Sequence, residues 1–316
     1  MAYAGFQIPS FTFPDTPSDH LFDRVVELAA AAEDAGFDSV WVMDHFIQIP
    51  VVGSPTDPIL EAYTTLAALA GRTSTVDLGA LVTGVTYRNS ALLAKMVTSL
   101  DVISSGRAVL GIGAAWFDVE HAAYGYEFPA VGERFERLED ALEICTRMFG
   151  DDSPSYDGRH HSITDAFNVP GPVREGGPPI LIGGGGEKKT LRLVARFADY
   201  CNLFGDVDEV RHKLDVLDAH CADVGRDPSE VTRTRLGTLA LAPTHDRAVA
   251  ATAPLRDQFG AESFDAMVVA GSPETVAERL QVFNDAGLDG HIVNLMPGTA
   301  TPDTVGLAGE TMALLR

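Results

Sequence analysis

Short, nearly unbroken apolar runs alternate along the chain with stretches whose apolar positions recur every three or four residues. The runs Tyr3–Ile8, Ser39–Met43, Val76–Val82, Ala108–Ile112, Pro179–Ile182, Tyr200–Leu203, Arg233–Ala240 and Gly290–Leu295 read as strands. Between them, Asp19–Ala35, Tyr63–Gly71, Ser90–Ser104, Gly132–Phe149, Glu187–Phe197, Val207–Val224 and Pro273–Ala286 read as amphipathic helices. Strands that are apolar throughout, rather than at alternate positions, suit a parallel sheet covered by helices on its outer face. Eight strands separated by seven helical stretches predict an α/β fold, a (β/α)8 TIM barrel, in one domain spanning residues 1–316.

Two details refine that expectation. Glu33 to Ser39 (EDAGFDS) and Asn284 to Gly290 (NDAGLDG) repeat one helix-to-strand joint, with Gly36 and Gly287 free to take the left-handed conformation that ends a helix. Two loop insertions interrupt the pattern, about 46–62 after the second strand and 151–177 before the fifth, and both are expected at the C-terminal face. The first, with Pro50, Pro55 and Pro58, is the better lid candidate because it leaves a strand's C-terminal end; Tyr156–Arg159 in the second reads as a small hairpin.

Composition narrows the partners. Of 316 residues, 46% are hydrophobic, which excludes a disordered chain. The 23 Lys and Arg stand against 45 Asp and Glu, a net charge of −22 that repels nucleic acid and anionic lipid. No apolar run approaches the roughly 18 residues that span a bilayer, and the N-terminus lacks a basic, apolar leader. Cys145, Cys201 and Cys221 are odd in number and without CxxC spacing, so no disulfide framework or thiolate metal site is expected. A reduced, soluble, cytoplasmic protein is the reading that remains.

In a barrel, chemistry sits just past the strands' C-terminal ends. Those positions hold Gln7, Asp44 and His45, Thr83, Gly113 to Trp116, Gly183 to Gly186, Asn202 and Asn294. No His cluster has metal-ligand spacing, so no metal is expected. The strongest feature is Gly183-Gly184-Gly185-Gly186 running into a helix with Lys188 and Lys189 at its start. Glycines at a helix N-terminus let backbone N–H groups meet an anion. Only four lysines occur in the chain, and two stand where the helix dipole disfavours cations unless an anion is bound. Arg88 is a further candidate for that anion. Gly111-Ile112-Gly113-Ala114-Ala115 is a second small-residue turn, and His45 can exchange a proton near neutral pH.

Together, Trp41 to Phe46 (WVMDHF), Leu78 to Asn89 (LGALVTGVTYRN), Gly111 to Trp116 (GIGAAW) and Pro179 to Gly186 (PILIGGGG) resemble the luciferase-like monooxygenase superfamily, and within it the actinobacterial branch that uses coenzyme F420, a deazaflavin. The resemblance runs from about Gly5 to Asn294. It implies a deazaflavin across the barrel mouth, a non-prolyl cis peptide at Leu81-Val82 with Thr83 beside the ring, Gly183 to Gly186 and Lys188 at the phosphate, and Gly113 and Ala114 near the linker. It further implies Asp44 and His45 beside the reactive ring and, often, a homodimer.

Related sugar-phosphate dehydrogenases carry a proton-donating Glu after the fourth strand. Trp116 stands there instead, which argues against the same acid–base pair and for an apolar or aromatic substrate wall, with Gln7 as a further substrate contact. The expected activity is hydride transfer between F420 and a small organic substrate, with His45 handling the proton. An FMN-dependent monooxygenase and a non-catalytic cofactor-binding barrel are the alternatives.

Overall fold

A computed structural model describes residues 2–14 and 16–316. Eight parallel strands close on themselves: β1 (Tyr3–Ile8), β2 (Ser39–Val42), β3 (Asp77–Ala80), β4 (Ala108–Gly113), β5 (Ile180–Gly183), β6 (Tyr200–Leu203), β7 (Thr232–Leu241) and β8 (Gly290–Leu295). Each pairs with its neighbours in sequence, and β8 returns to β1 with Tyr3 opposite Gly290 and Phe6 opposite Val293. This is the expected (β/α)8 barrel.

Helices cover it because their apolar stripes match the outer strand faces. In the helix Leu21–Asp34, the residues Leu21, Val25, Leu28, Ala29 and Ala32 are buried, which is the helical period. The repeated joint is used twice as expected: Gly36 has φ +79° and Gly287 +109°. In both, the next residue's N–H turns back to the helix, Phe37 to Ala32 O at 3.0 Å and Leu288 to Phe283 O at 3.2 Å.

Inside the barrel, Trp41, Val109, Leu181 and Ile292 form the central layer. The Trp41 indole fits because the neighbouring strands carry glycine. A Cβ on Gly79 would lie 2.6 Å from Trp41 Cζ3, and one on Gly5 2.9 Å from Trp41 Nε1. Trp41 Nε1–H donates to Ser39 Oγ at 2.7 Å, so its polar atom is satisfied in the core.

The structure adds elements the sequence pattern did not reveal. His245–Phe259 and Ala261–Met267 are helices, and Val268–Gly271 is an extra strand pairing with Thr238–Leu241 of β7. The third strand is shorter than the expected Val76–Val82: it stops at Ala80, and a two-residue strand, Thr83–Gly84, resumes pairing with β4. The first insertion rims the mouth. The second joins the end of the helix Val131–Gly150 to the start of β5, and its Arg174 bonds Asp77 at the start of β3. It therefore leaves and rejoins the barrel at the N-terminal face rather than the expected C-terminal one. It contains the expected hairpin, Tyr156–Asp157 against Ser162–Ile163. Its tip climbs back along the helix Val131–Gly150, where Asp140 accepts from the N–H groups of Arg159, His160 and His161. Among the described residues no helix is long and apolar enough to cross a membrane.

Because Gly79 makes room for Trp41, the Gly79→Ala chain is expected to lose about 1–3 kcal/mol of stability from overpacking. Urea denaturation measures this, and Trp41→Phe in the same chain should recover part of the loss.

Candidate functional site at the barrel mouth

The floor of the mouth is built where β1, β3, β4, β5 and β8 end. Gln7 is only 2% exposed. Its Nε2 donates to Leu81 O at 3.4 Å, and its Oε1 accepts from Asn294 Nδ2 at 2.8 Å. The Leu81–Val82 peptide bond is cis. Val82 then packs against two glycines: a Cβ on Gly113 would come within 2.9 Å of Val82 Cγ2, and one on Gly183 within 2.9 Å of Val82 Cγ1. Thr83 is buried, with its hydroxyl 2.7 Å from that of Tyr63.

Beside this floor lies a buried charge cluster. Asp44 sits two residues past β2 and is held by a two-pronged Arg88 pair, Nη1 to Oδ2 at 2.7 Å and Nη2 to Oδ1 at 2.8 Å, with the Gly84 N–H at 3.1 Å. Arg88 Nη2 also reaches Glu61 Oε1 at 2.6 Å. Burial is the largest influence on Asp44 and raises its carboxyl above the ordinary range, against the opposing pull of Arg88. Burial alone would weaken the Arg88 charge, but its bonds to the carboxylates raise the guanidinium above its usual value. Arg88 is therefore fully occupied, which corrects its assignment as a free cation for phosphate. Glu61 also caps the helix Ala62–Ala70 by accepting from Thr64 N–H at 2.7 Å.

His45 follows Asp44 and is held from behind by Glu120. Its Nδ1 lies 3.2 Å from Glu120 Oε1, which also accepts the Tyr87 hydroxyl. Glu120 Oε2 takes the N–H groups of Phe46 at 2.6 Å and Ile47 at 3.1 Å. Burial works against the Glu120 charge, but these donors outweigh it and hold the carboxyl below its ordinary range. The His45 ring meets Trp116 and Phe117 edge-on, at centroid distances of 5.9 Å each. Trp116 stacks on Phe117 yet stays 57% exposed, a flat apolar wall beside His45. It follows Ala114 and Ala115, the latter in the left-handed region at φ +58°. The insertion is anchored at both ends, by Glu120 at Phe46 and Ile47 and by Arg88 at Glu61. Ile49 is buried with Met43 and Phe117, which makes the loop's lower part a fixed wall.

On another side of the mouth, β5 enters the glycine turn. Gly184 takes φ +118°, a conformation that favours glycine, and its N–H bonds to Asn202 O at 3.0 Å. Among the described residues, the N–H groups of Gly185, Gly186, Glu187 and Lys188 have no acceptor in the protein. Lys188 is exposed, and Lys189 lies with Nζ 5.4 Å from the Phe135 ring centroid. A third lysine, Lys213, crosses the turn so closely that a Cβ on Gly185 would touch its Cε at 3.0 Å. Among the described residues no group of three or more His, Cys, Asp or Glu is placed to hold a metal ion. Next to the floor, a cavity of about 590 Å³ opens between the segments after β1 and β8, with Gln7, Ser10 and Met296 in its lining.

The family described as luciferase-like monooxygenase matches over residues 5–268. The chain belongs to the luciferase-like monooxygenase family. That membership makes it an oxidoreductase. It is 31% identical over 234 residues to the F420-dependent glucose-6-phosphate dehydrogenase of Microbacterium testaceum, covering 73% of this chain and 68% of that one. It is 30% identical over 262 residues to the 5,10-methylenetetrahydromethanopterin reductase of Archaeoglobus fulgidus, covering 81% and 69%. Its fold is similar to that of an F420-dependent secondary alcohol dehydrogenase solved in complex with an F420-acetone adduct, with TM-score 0.82, 19% identity and coverage of 100% and 99%.

Within this luciferase-like barrel, the sequence-predicted residues separate by what their side chains do. Gln7, Asp44 and Thr83 are buried with their polar ends engaged by the protein, and with Leu81, Val82, Gly113 and Gly183 they form the floor and its support. His45, Ala114 and Trp116 stand at the rim, while Gly184 to Gly186 and Lys188 form the separate turn. Sequence reasoning passed over Glu120, Tyr87 and Lys213. Nothing local marks Glu120, because its partners lie 33 and 73–75 residues away.

The Arg88 pair is buried, so Arg88→Met leaves Asp44 uncompensated. The variant is expected to lose about 3–5 kcal/mol at neutral pH. The deficit should shrink as pH falls, because the stranded Asp44 carboxyl, already raised by burial, then takes up a proton. Urea denaturation of both chains at neutral and mildly acidic pH checks the magnitude and its sign.

Proposed function

We propose that this protein is a coenzyme F420-dependent oxidoreductase acting on a small organic substrate with an apolar or aromatic face. The observation that carries the reading is that one barrel mouth presents both a turn of unpartnered N–H groups, Gly185 to Lys188, and a histidine with an open ring nitrogen, His45. The names of the relatives support F420 as the cofactor.

The residues present fit a flat redox group with an anionic tail. The free N–H groups of the glycine turn, with Lys188 and Lys213 close by, would hold the phosphate. Leu81, Val82, Gly113 and Ala114 would support the ring and its linker. When bound, the deazaflavin supplies a carbon that accepts or gives up a hydride. The chain's own part is positioning and one proton: Trp116 and Phe117 exclude water beside His45, and His45 takes or returns the proton that accompanies hydride transfer. The exposed aromatic wall at Trp116 supports a substrate with an apolar or aromatic face.

Titration with F420 and with FMN, followed by absorbance and fluorescence, tests the cofactor. Saturable F420 binding is expected; tight FMN binding without F420 binding would make the protein an FMN-dependent monooxygenase instead. His45→Ala should still bind F420 but lose about 100- to 10,000-fold in kcat, the usual contribution of a positioned acid–base group. Unchanged turnover would remove His45 from the mechanism.

A further inference from the structure

The Glu120 carboxylate has no acceptor capacity left. Oε1 receives His45 Nδ1 at 3.2 Å and the Tyr87 hydroxyl, and Oε2 receives two backbone N–H groups, from Phe46 at 2.6 Å and Ile47 at 3.1 Å. A carboxylate offers about four lone-pair positions, and here each is used. The group is fully buried and its place is fixed from the next residue as well: His121 bonds Thr86 Oγ1 at 2.6 Å and Phe117 O at 2.7 Å.

An ionised carboxylate can only accept, so the neutral His45 ring must carry its proton on Nδ1. Nε2 then holds the lone pair. That nitrogen has no partner among the described residues and is not buried, and the ring edge lies against the exposed Trp116 wall. We infer that Glu120 is the positioning residue of His45, selecting the Nδ1–H tautomer so that Nε2 faces the substrate as a proton acceptor. This inference rests on the reading of His45 as the proton-handling group.

The hydrogen-bond inventory makes the consequence of Glu120→Gln specific. The backbone N–H groups of Phe46 and Ile47 can only donate, so the amide oxygen of the glutamine must face them. Its NH2 group then points at His45 and Tyr87, and His45 must accept through Nδ1. The imidazole proton moves to Nε2, the packing is conserved, and the nitrogen facing the substrate becomes a donor.

The test uses the full chain labelled with 15N in histidine, at a pH where imidazole is neutral, with the His45 signals assigned by their absence in His45→Ala. The wild-type chain should carry the proton on Nδ1 and Glu120→Gln on Nε2. Tyr87→Phe, which removes one donor but leaves the carboxylate, should retain the wild-type tautomer. In turnover with F420, Glu120→Gln should lower kcat by about 100- to 10,000-fold with KM little changed. A wild-type ring protonated on Nε2, which needs no variant to fold, or the same tautomer in wild type and Glu120→Gln, overturns the inference. Normal turnover by His45→Ala would overturn the proton-handling reading instead, and the ring-nitrogen signals would still decide whether Glu120 sets the tautomer.

Discussion

Two carboxylates are buried at the end of β2, and neither can stay there without donors. Taking a charge out of water is costly unless nearby dipoles or an opposite charge replace the lost hydration. Asp44 meets that demand with Arg88 and Gly84, and Glu120 with His45, Tyr87 and two backbone N–H groups. The requirement organises the mouth. Arg88 draws in Glu61, Glu120 draws in the root of the insertion, and His45 is held between the two clusters with one nitrogen open.

The floor below follows from side-chain volume. Trp41 fills the barrel because Gly5 and Gly79 yield space to its indole. One layer higher, Val82 occupies the space vacated by Gly113 and Gly183, which draws the ends of β3, β4 and β5 together. Glycine in these strands thus serves close approach of neighbouring elements, whereas at Gly184, just past β5 with φ +118°, the turn itself calls for it. The aromatic wall at Trp116 follows β4, and the N–H groups of Gly185 to Lys188, without an acceptor among the described residues, follow the adjacent β5.

What the sequence reveals is what is local. Apolar runs marked the strands, the DAG joint marked two helix ends, and four consecutive glycines before two lysines marked the turn. His45 was legible because it stands just past the C-terminal end of β2. Glu120 was not, since it sits in a short helix, Asp118–Tyr124, with an ordinary mixture of side chains, and its partners come from two distant segments. Arg88 was misread for the same reason: a lone arginine near a strand end resembles an anion ligand until Asp44 and Glu61 are seen to occupy it. The segment from His245 to Gly271 escaped notice because its helix His245–Phe259 carries Pro254 and few buried residues, so no clear apolar stripe announces it.

The claim that one ligand bridges the glycine turn and the His45 wall is tested most directly by a crystal structure of the protein with F420 bound. The account predicts the phosphate on the N–H groups of Gly185 to Lys188 and the deazaflavin ring against Leu81 and Val82, within reach of His45. A phosphate seated instead in the cavity beside Ser10 and Met296, or a ring remote from His45, would contradict it.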